Sequence, residues 1–175
     1  MKFKTPSRFH RILLFLIPLA FVSASAYAVT TGSSSSGSSS GSTSNSQSST
    51  YKQPQTASEW FDMGQASSDA GYYNDAINQF LKAVSLKPDY AEAYNMLGFS
   101  YRKSGQLAKS FQYYETALKL RPDFEEAHEY YGEAFLQANN LVKAMKEYIY
   151  LKNRGSDEAA DLWKSIEEFV AKNAK

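Results

Sequence analysis

The chain has 175 residues, a formal charge of +1 and no cysteine. That is room for one modest domain with accessory segments, and it excludes a disulfide framework, a thiolate metal site and a cysteine nucleophile. Four basic residues and no acidic one precede position 28. Removing them from the 19 leaves 15 basic against 18 acidic side chains, and a body of that balance lacks the basic face of a nucleic-acid binder.

The first segment, "MKFKTPSRFHR", carries Lys2, Lys4, Arg8 and Arg11, and an apolar run over 12–22 and the triplet Ala26-Tyr27-Ala28 follow it. A basic start, a short apolar stretch and a small-x-small site read as a secretory signal peptide, 1–28, cleaved after Ala28. Retention as a membrane anchor is the competing reading. The run is far shorter than the roughly 20 residues a spanning helix requires, and Pro18 interrupts it. The expectation is a periplasmic or secreted protein, free of the membrane once cleaved. Residues 30–50, "TTGSSSSGSSSGSTSNSQSST", hold nothing that could offset the entropy of ordering them. A disordered Ser/Gly-rich linker is expected over 29–56.

Beyond the linker the chain writes one phrase twice. "LKPDYAEAYNMLG" begins at Leu86 and "LRPDFEEAHEYYG" at Leu120, 34 positions on. The period extends both ways. Gly64, Gly98 and Gly132 are each preceded by four residues by a ring (Trp60, Tyr94, His128) and by one residue by Met63, Leu97 or Tyr131. Twelve residues after each glycine stands Ala76, Ser110 or Ala144, and sixteen after stands Phe80, Tyr114 or Tyr148. The spacing i, i+3, i+4, i+7 around each glycine predicts a helix. A mid-helix glycine costs about 1 kcal/mol relative to alanine. Its return in register therefore predicts a close approach by a second helix that brings Phe80, Tyr114 or Tyr148 into the seam.

Gly71, Gly105 and Asn139 stand where the first helices need a left-handed stop, and Pro88 and Pro122 end the second helices. Thr56 with Glu59, Asp89 with Glu92, and Asp123 with Glu126 read as capping boxes for the helices that follow. The third repeat drifts at its end, with Leu151 in place of alanine and Ser156 in place of proline. "SDEAADLWKSIEEFVAKNAK" then reads as one amphipathic helix with an apolar stripe of Leu162, Ile166, Phe169 and Val170, Trp163 beside it. Ile166 falls where a fourth repeat glycine would stand, so this helix is expected to cap the array over 159–175.

Taken together these positions resemble the tetratricopeptide repeat, a 34-residue helix–turn–helix unit, over 57–158 in units 57–90, 91–124 and 125–158. The resemblance implies an all-α, right-handed solenoid of three such units plus the C-terminal capping helix. It also implies a non-catalytic protein–protein interaction module whose first helices line a concave groove. By that resemblance the groove residues are Phe61, Gln65, Asn95, Phe99, Arg102, Glu126, Glu129, Tyr130 and Glu133, with Ser58, Asp62 and Asp69 on the same face of the first helix. One subclass of the family grips a partner's terminal carboxylate with lysine, arginine and asparagine. The matching positions here are Phe61, Gln65, Met96, Glu126 and Tyr130, so the clamp is not expected.

No catalytic residue, metal site or cofactor is expected. His128 sits at a packing position of the repeat, no His/Cys cluster has metal-ligand spacing, and the glycines belong to helices and helix ends rather than a phosphate loop. Glu125, Glu126, Glu129 and Glu133 form the one dense charge cluster, read as a solvated helix face that would favour a partner segment with basic and apolar residues. Two other roles fit the same residues. One is a structural or oligomerising envelope component using Tyr72, Tyr73, Tyr113 and Tyr150 as an outer face; the other is a regulatory subunit of an envelope enzyme.

Overall fold

The computed structural model describes residues 54–174, so the expected signal peptide and nearly all of the expected linker lie outside the described residues. Within them seven helices follow in order, with no strand. These are α1 (Ala57–Asp69), α2 (Tyr73–Leu86), α3 (Ala91–Lys103), α4 (Leu107–Leu120), α5 (Glu125–Gln137), α6 (Leu141–Arg154) and α7 (Glu158–Asn173). They pack as an all-α solenoid of helix pairs. No helix among the described residues is long and apolar enough to cross a membrane.

The turns inside the pairs are set by backbone sterics. Gly71 (φ 81°), Gly105 (φ 82°) and Asn139 (φ 59°) all adopt the left-handed conformation that ends a helix. Asparagine is the non-glycine residue that tolerates it best. The α6 helix stops in the same way at Gly155 (φ 68°), where the absence of a proline had left its end undefined.

One of the three expected capping boxes forms. At α1 the Glu59 amide donates to Thr56 Oγ1 (3.2 Å), and the Thr56 amide donates back to Glu59 Oε2 (2.9 Å). At α3 and α5 the N-caps are Tyr90 and Phe124, without side-chain bonds. Asp89 and Asp123 therefore fall one residue before the cap, and the residue three after each cap is Ala93 or Ala127 rather than a glutamate. Glu92 turns instead to Arg121, 2.6 Å away.

The glycines mark close helix approaches, as their recurrence predicts, but with one exchange of partner. A Cβ built on Gly64 would lie 2.5 Å from the Phe80 ring, and one on Gly98 would lie 2.6 Å from the Tyr114 ring. At Gly132 the slot holds Leu162 of α7, 2.5 Å from the same imagined atom. Tyr148, expected there, is half-buried and packs on Trp163 with ring centroids 4.9 Å apart. Leu151, fully buried where the earlier units carry the alanines Ala83 and Ala117, takes the inner volume of that seam.

The core runs as one column. Phe99 bridges the apolar clusters of units one and two, and Phe111 and Tyr131 carry the packing on to the third unit and α7. In α7 the residues Ala159, Leu162 and Ile166 are buried and Phe169 half-buried. Val170, expected in the stripe, is exposed. It follows Trp163 by seven residues, so the two share a flank that faces water.

Candidate functional site

The first helices of successive units lie side by side, and the contacts between them are aromatic and ionic. Phe61 of α1 meets Tyr90, which opens α3, with centroids 5.0 Å apart. Phe99 of α3 meets Tyr130 of α5 at 5.2 Å, and Arg102 pairs with Glu133 at 2.5 Å. The row continues onto the cap, where Ser165 donates to Glu133 (3.2 Å) and Ser156 to Glu125 (3.0 Å).

Of the nine residues expected to line a groove, Phe61, Gln65, Phe99, Glu126 and Glu133 are half-buried on this face. The other four are not open surface: Asn95 is 1% exposed, Arg102 8%, Glu129 8% and Tyr130 9%. They are buried because each neighbouring unit, or α7, leans on the helix that carries them. Burial alone would lower the Arg102 guanidinium, but Tyr114, Glu133 and Tyr130 around it raise it, so it stays charged. Burial, reinforced by Glu126 and Glu129, pushes the Tyr130 hydroxyl well above its ordinary range.

The acidic cluster on α5 is not the solvated face that its composition suggests. Glu133 is tied to Arg102 and Glu125 reaches Arg154 (3.7 Å). Glu129 is turned toward α7, where its carboxylate oxygens and those of Glu158 and Asp161 all lie within 4.8 Å of one another. This is the one grouping of metal-type side chains among the described residues, and it consists of helical carboxylates alone, without the turn carbonyls of a calcium loop. A proton suits it. Burial first, then Glu133, Glu158 and Asp161, raise the Glu129 carboxyl to about 10, so at neutral pH it is uncharged and hydrogen-bonded to Glu158. Burial also raises Glu126, partly offset by a hydrogen bond with Tyr130. Nothing in the sequence of α5 announces Glu158 and Asp161 as its partners; only the seating of the cap does.

Phe99 sits at the centre of the face. Its half-buried ring lies between Tyr130 and Tyr73 (6.3 Å), with the Arg102 and Lys103 cations 5.4 and 5.3 Å from its centroid. Tyr73 also walls an open cleft of about 440 Å³ formed with Gly71, Tyr72, Asn74, Asp75 and Ser104. Sequence reasoning passed over Tyr90 as a site residue and assigned Tyr73 to an outer face. For Tyr90 a signal existed, since it recurs as Phe124 one period later, each beneath a cation, Lys87 or Arg121. His128 packs where expected. Its Nδ1 lies 2.7 Å from Glu147, its Nε2 lies 3.0 Å from the Pro122 carbonyl oxygen, and its ring stacks on Tyr150 at 3.9 Å. Nδ1 thus ties α5 to α6, and Nε2 ties it to the turn that precedes α5.

Comparison with known proteins agrees with this geometry. A model of the tetratricopeptide repeat matches residues 91–124, and a second TPR repeat model matches 64–105. No curated protein matches the chain. Among solved structures, the first TPR domain of human RPAP3 is similar, with a TM-score of 0.60 and 20% identity over 67% of this chain and 94% of that one. The first TPR of Spaghetti (RPAP3), bound to the HSP90 peptide SRMEEVD, gives a TM-score of 0.59 and 21% identity over 67% and 94%. The Sgt2 TPR domain from Aspergillus fumigatus gives 0.59 and 21% over 67% and 79%. Residues 64–124 carry tetratricopeptide repeats, and the chain shares the fold of solved TPR domains.

Proposed function

We propose that this chain is an exported interaction module, without catalysis of its own, that holds a segment of another protein against the face formed by α1, α3 and α5. The observation that carries the reading is Phe99. It is a half-buried ring at the centre of the array, supported by Tyr73 and Tyr130 and rimmed by charged side chains. Large rings in supported, partly desolvated positions are what interfaces use as anchors. A fold neighbour solved with a bound peptide agrees with a peptide-binding role. The partner segment combines apolar residues, for the ring, with lysine or arginine, for the carboxylates of Asp62 and Asp69 exposed on the same face of α1. Export rests on the basic, apolar and Ala-x-Ala pattern of the first 28 residues.

The oligomerising alternative loses its main support. Tyr113 is stacked on Tyr101 at 5.1 Å and Tyr150 on His128, so of the four outer tyrosines only Tyr72 stands mostly in water. A photo-crosslinking residue at position 99, in cells making the full chain, tests the reading by mass spectrometry of the adducts. One recurrent partner is expected, joined through a short contiguous segment. A crosslinker on the convex residue Glu115 that captures the same partner equally well would refute it. Intact mass of the purified chain tests export, with a mature protein starting at Val29 as the expected product.

A further inference from the structure

Sequence alone assigns the recognition of a basic segment to α5, the most acidic helix of the array. The structure engages those acids internally. Glu133 is paired with Arg102, Glu125 with Arg154, and Glu92 on α3 with Arg121. Glu129 is buried against Glu158 and Asp161 of α7.

The first unit is built differently. Ser58, Asp62, Gln65 and Asp69 follow one another at spacings of four, three and four, one face of α1, and Ser58, Asp62 and Asp69 are exposed. Neither aspartate makes an ion pair with another described residue. Asp62 lies at the mouth between α1 and α3. The Tyr90 hydroxyl there is hydrogen-bonded with Ser58 and feels the charges of Asp62 and Glu92. The Phe61 and Tyr90 rings form an apolar wall beside it, and Lys87, 4.5 Å from the Tyr90 centroid, already lays a cation on that ring. An unpaired carboxylate next to two rings suits a long side chain with a cationic head and an aliphatic stem. From Ser58 to Asp69 the face runs about 16 Å, the length of some five extended residues.

We propose that the partner is read at unit one: Asp62 takes a lysine or arginine head, the Phe61–Tyr90 wall takes its stem, and Asp69 takes a second cation along the segment. The acids of α5 hold the solenoid together and do not recognise the partner. The proposal rests on the reading of this face as a peptide groove and specifies where its charge selectivity resides.

The test uses the full chain and two fluorescein-labelled heptapeptides, identical in their leucine and phenylalanine residues. One carries two lysines where the other carries two glutamates. Fluorescence anisotropy at low salt should give the lysine peptide about ten-fold tighter binding. In Asp62→Asn/Asp69→Asn that preference should shrink below about three-fold with the thermal midpoint unchanged. The same change of charge on α7, Glu167→Gln/Glu168→Gln, should leave the preference intact. A full preference retained by the Asp62→Asn/Asp69→Asn protein overturns the proposal. Equal binding of both peptides by the unmodified chain also overturns it, yet spares the groove reading if Phe99→Ala weakens both peptides together. No binding of either peptide sinks the proposal and the groove reading alike.

Discussion

The seam of unit two and the seam of unit three begin from the same residue and end differently. At Gly98 the slot is filled by Tyr114 of the same unit, a ring that is fully buried. At Gly132 it is filled by Leu162, which belongs to α7. The interior unit closes on itself; the terminal unit is closed by the helix after it. A repeat motif therefore specifies that a slot exists, while the residues flanking the array decide what enters it. The same contrast governs charge: in the interior an arginine meets a glutamate, Arg102 with Glu133, whereas at the cap three carboxyl groups meet one another.

Removing α7 should break the contrast most severely. A chain ending at Ser156 loses Leu162 and Ile166, each worth roughly 1.5–3 kcal/mol when buried, and leaves Gly132, Phe135 and Leu136 facing water. The expected result is a melting temperature lower by ~10 °C or more, with self-association visible in sedimentation. A monomer with an unchanged midpoint would show that the third unit is closed without its cap.

Alanine at the two glycines sharpens the comparison. In Gly98→Ala the new methyl meets a rigid, fully enclosed ring at 2.6 Å, so the helix must shift. The cost of overpacking, about 1–3 kcal/mol, should exceed the ~1 kcal/mol that alanine gains in helix propensity. In Gly132→Ala the obstacles are the Leu162 methyl groups at 2.5 and 2.8 Å and its Cγ at 3.2 Å, a branched aliphatic chain with more torsional freedom than a ring. That variant should stay within about 1 kcal/mol of the parent by urea denaturation. Equal losses at both sites would mean that the two slots are mechanically alike.

How far these features were legible follows from their range. The six helices of the repeats, the left-handed stops at Gly71, Gly105 and Asn139, and the close approaches at Gly64 and Gly98 arise from contacts within one period, and recurrence exposes them. The partner of Gly132 and the burial of Glu129 depend on the seating of α7, which occurs once and has no second copy to read against. The inner capping boxes were misread for a local reason: the cap falls one residue later than the aspartate, and a pattern of spacing alone does not resolve one residue. Among the expected site residues, Asn95 and Arg102 of α3 and Glu129 and Tyr130 of α5 are buried. Their burial was missed because it comes from the next unit leaning over them.

The carboxyl cluster gives the contrast a pH signature. The Glu129 carboxyl is raised in the fold, so folding favours its protonated form. Its contribution is therefore most favourable at pH below the ordinary glutamate value near 4.3. Stability is lost as pH rises from there toward about 10, the folded value. Glu129→Gln keeps the shape of the protonated group and cannot ionise. It should gain on the parent as pH rises above the ordinary glutamate value, by at most about 1.4 kcal/mol per pH unit, with the two converging near pH 4. Glu133 keeps its arginine in both proteins, so the difference isolates the cap. Parallel stability curves across that range would mean that Glu129 is solvated and charged.

The opposite end of the array offers the smallest and most local test. The α1 helix has no described unit before it, and it is the one whose start forms a full capping box, through Thr56 and Glu59. The α3 helix starts against unit one, with Tyr90 packed on Phe61, and has no side-chain cap. A first helix at the edge of the array thus relies on its own cap, while an inner one is held by its neighbour. Thr56→Ala should cost about 1 kcal/mol, the usual worth of such a cap, and should speed amide hydrogen exchange in the first turn of α1 above all. Asp89→Ala removes a side chain that caps nothing and should shift stability by less than about 0.5 kcal/mol. If Asp89→Ala costs as much as Thr56→Ala, the aspartate caps α3 in solution. The inner helix starts would then depend on their own sequence as much as the free one does.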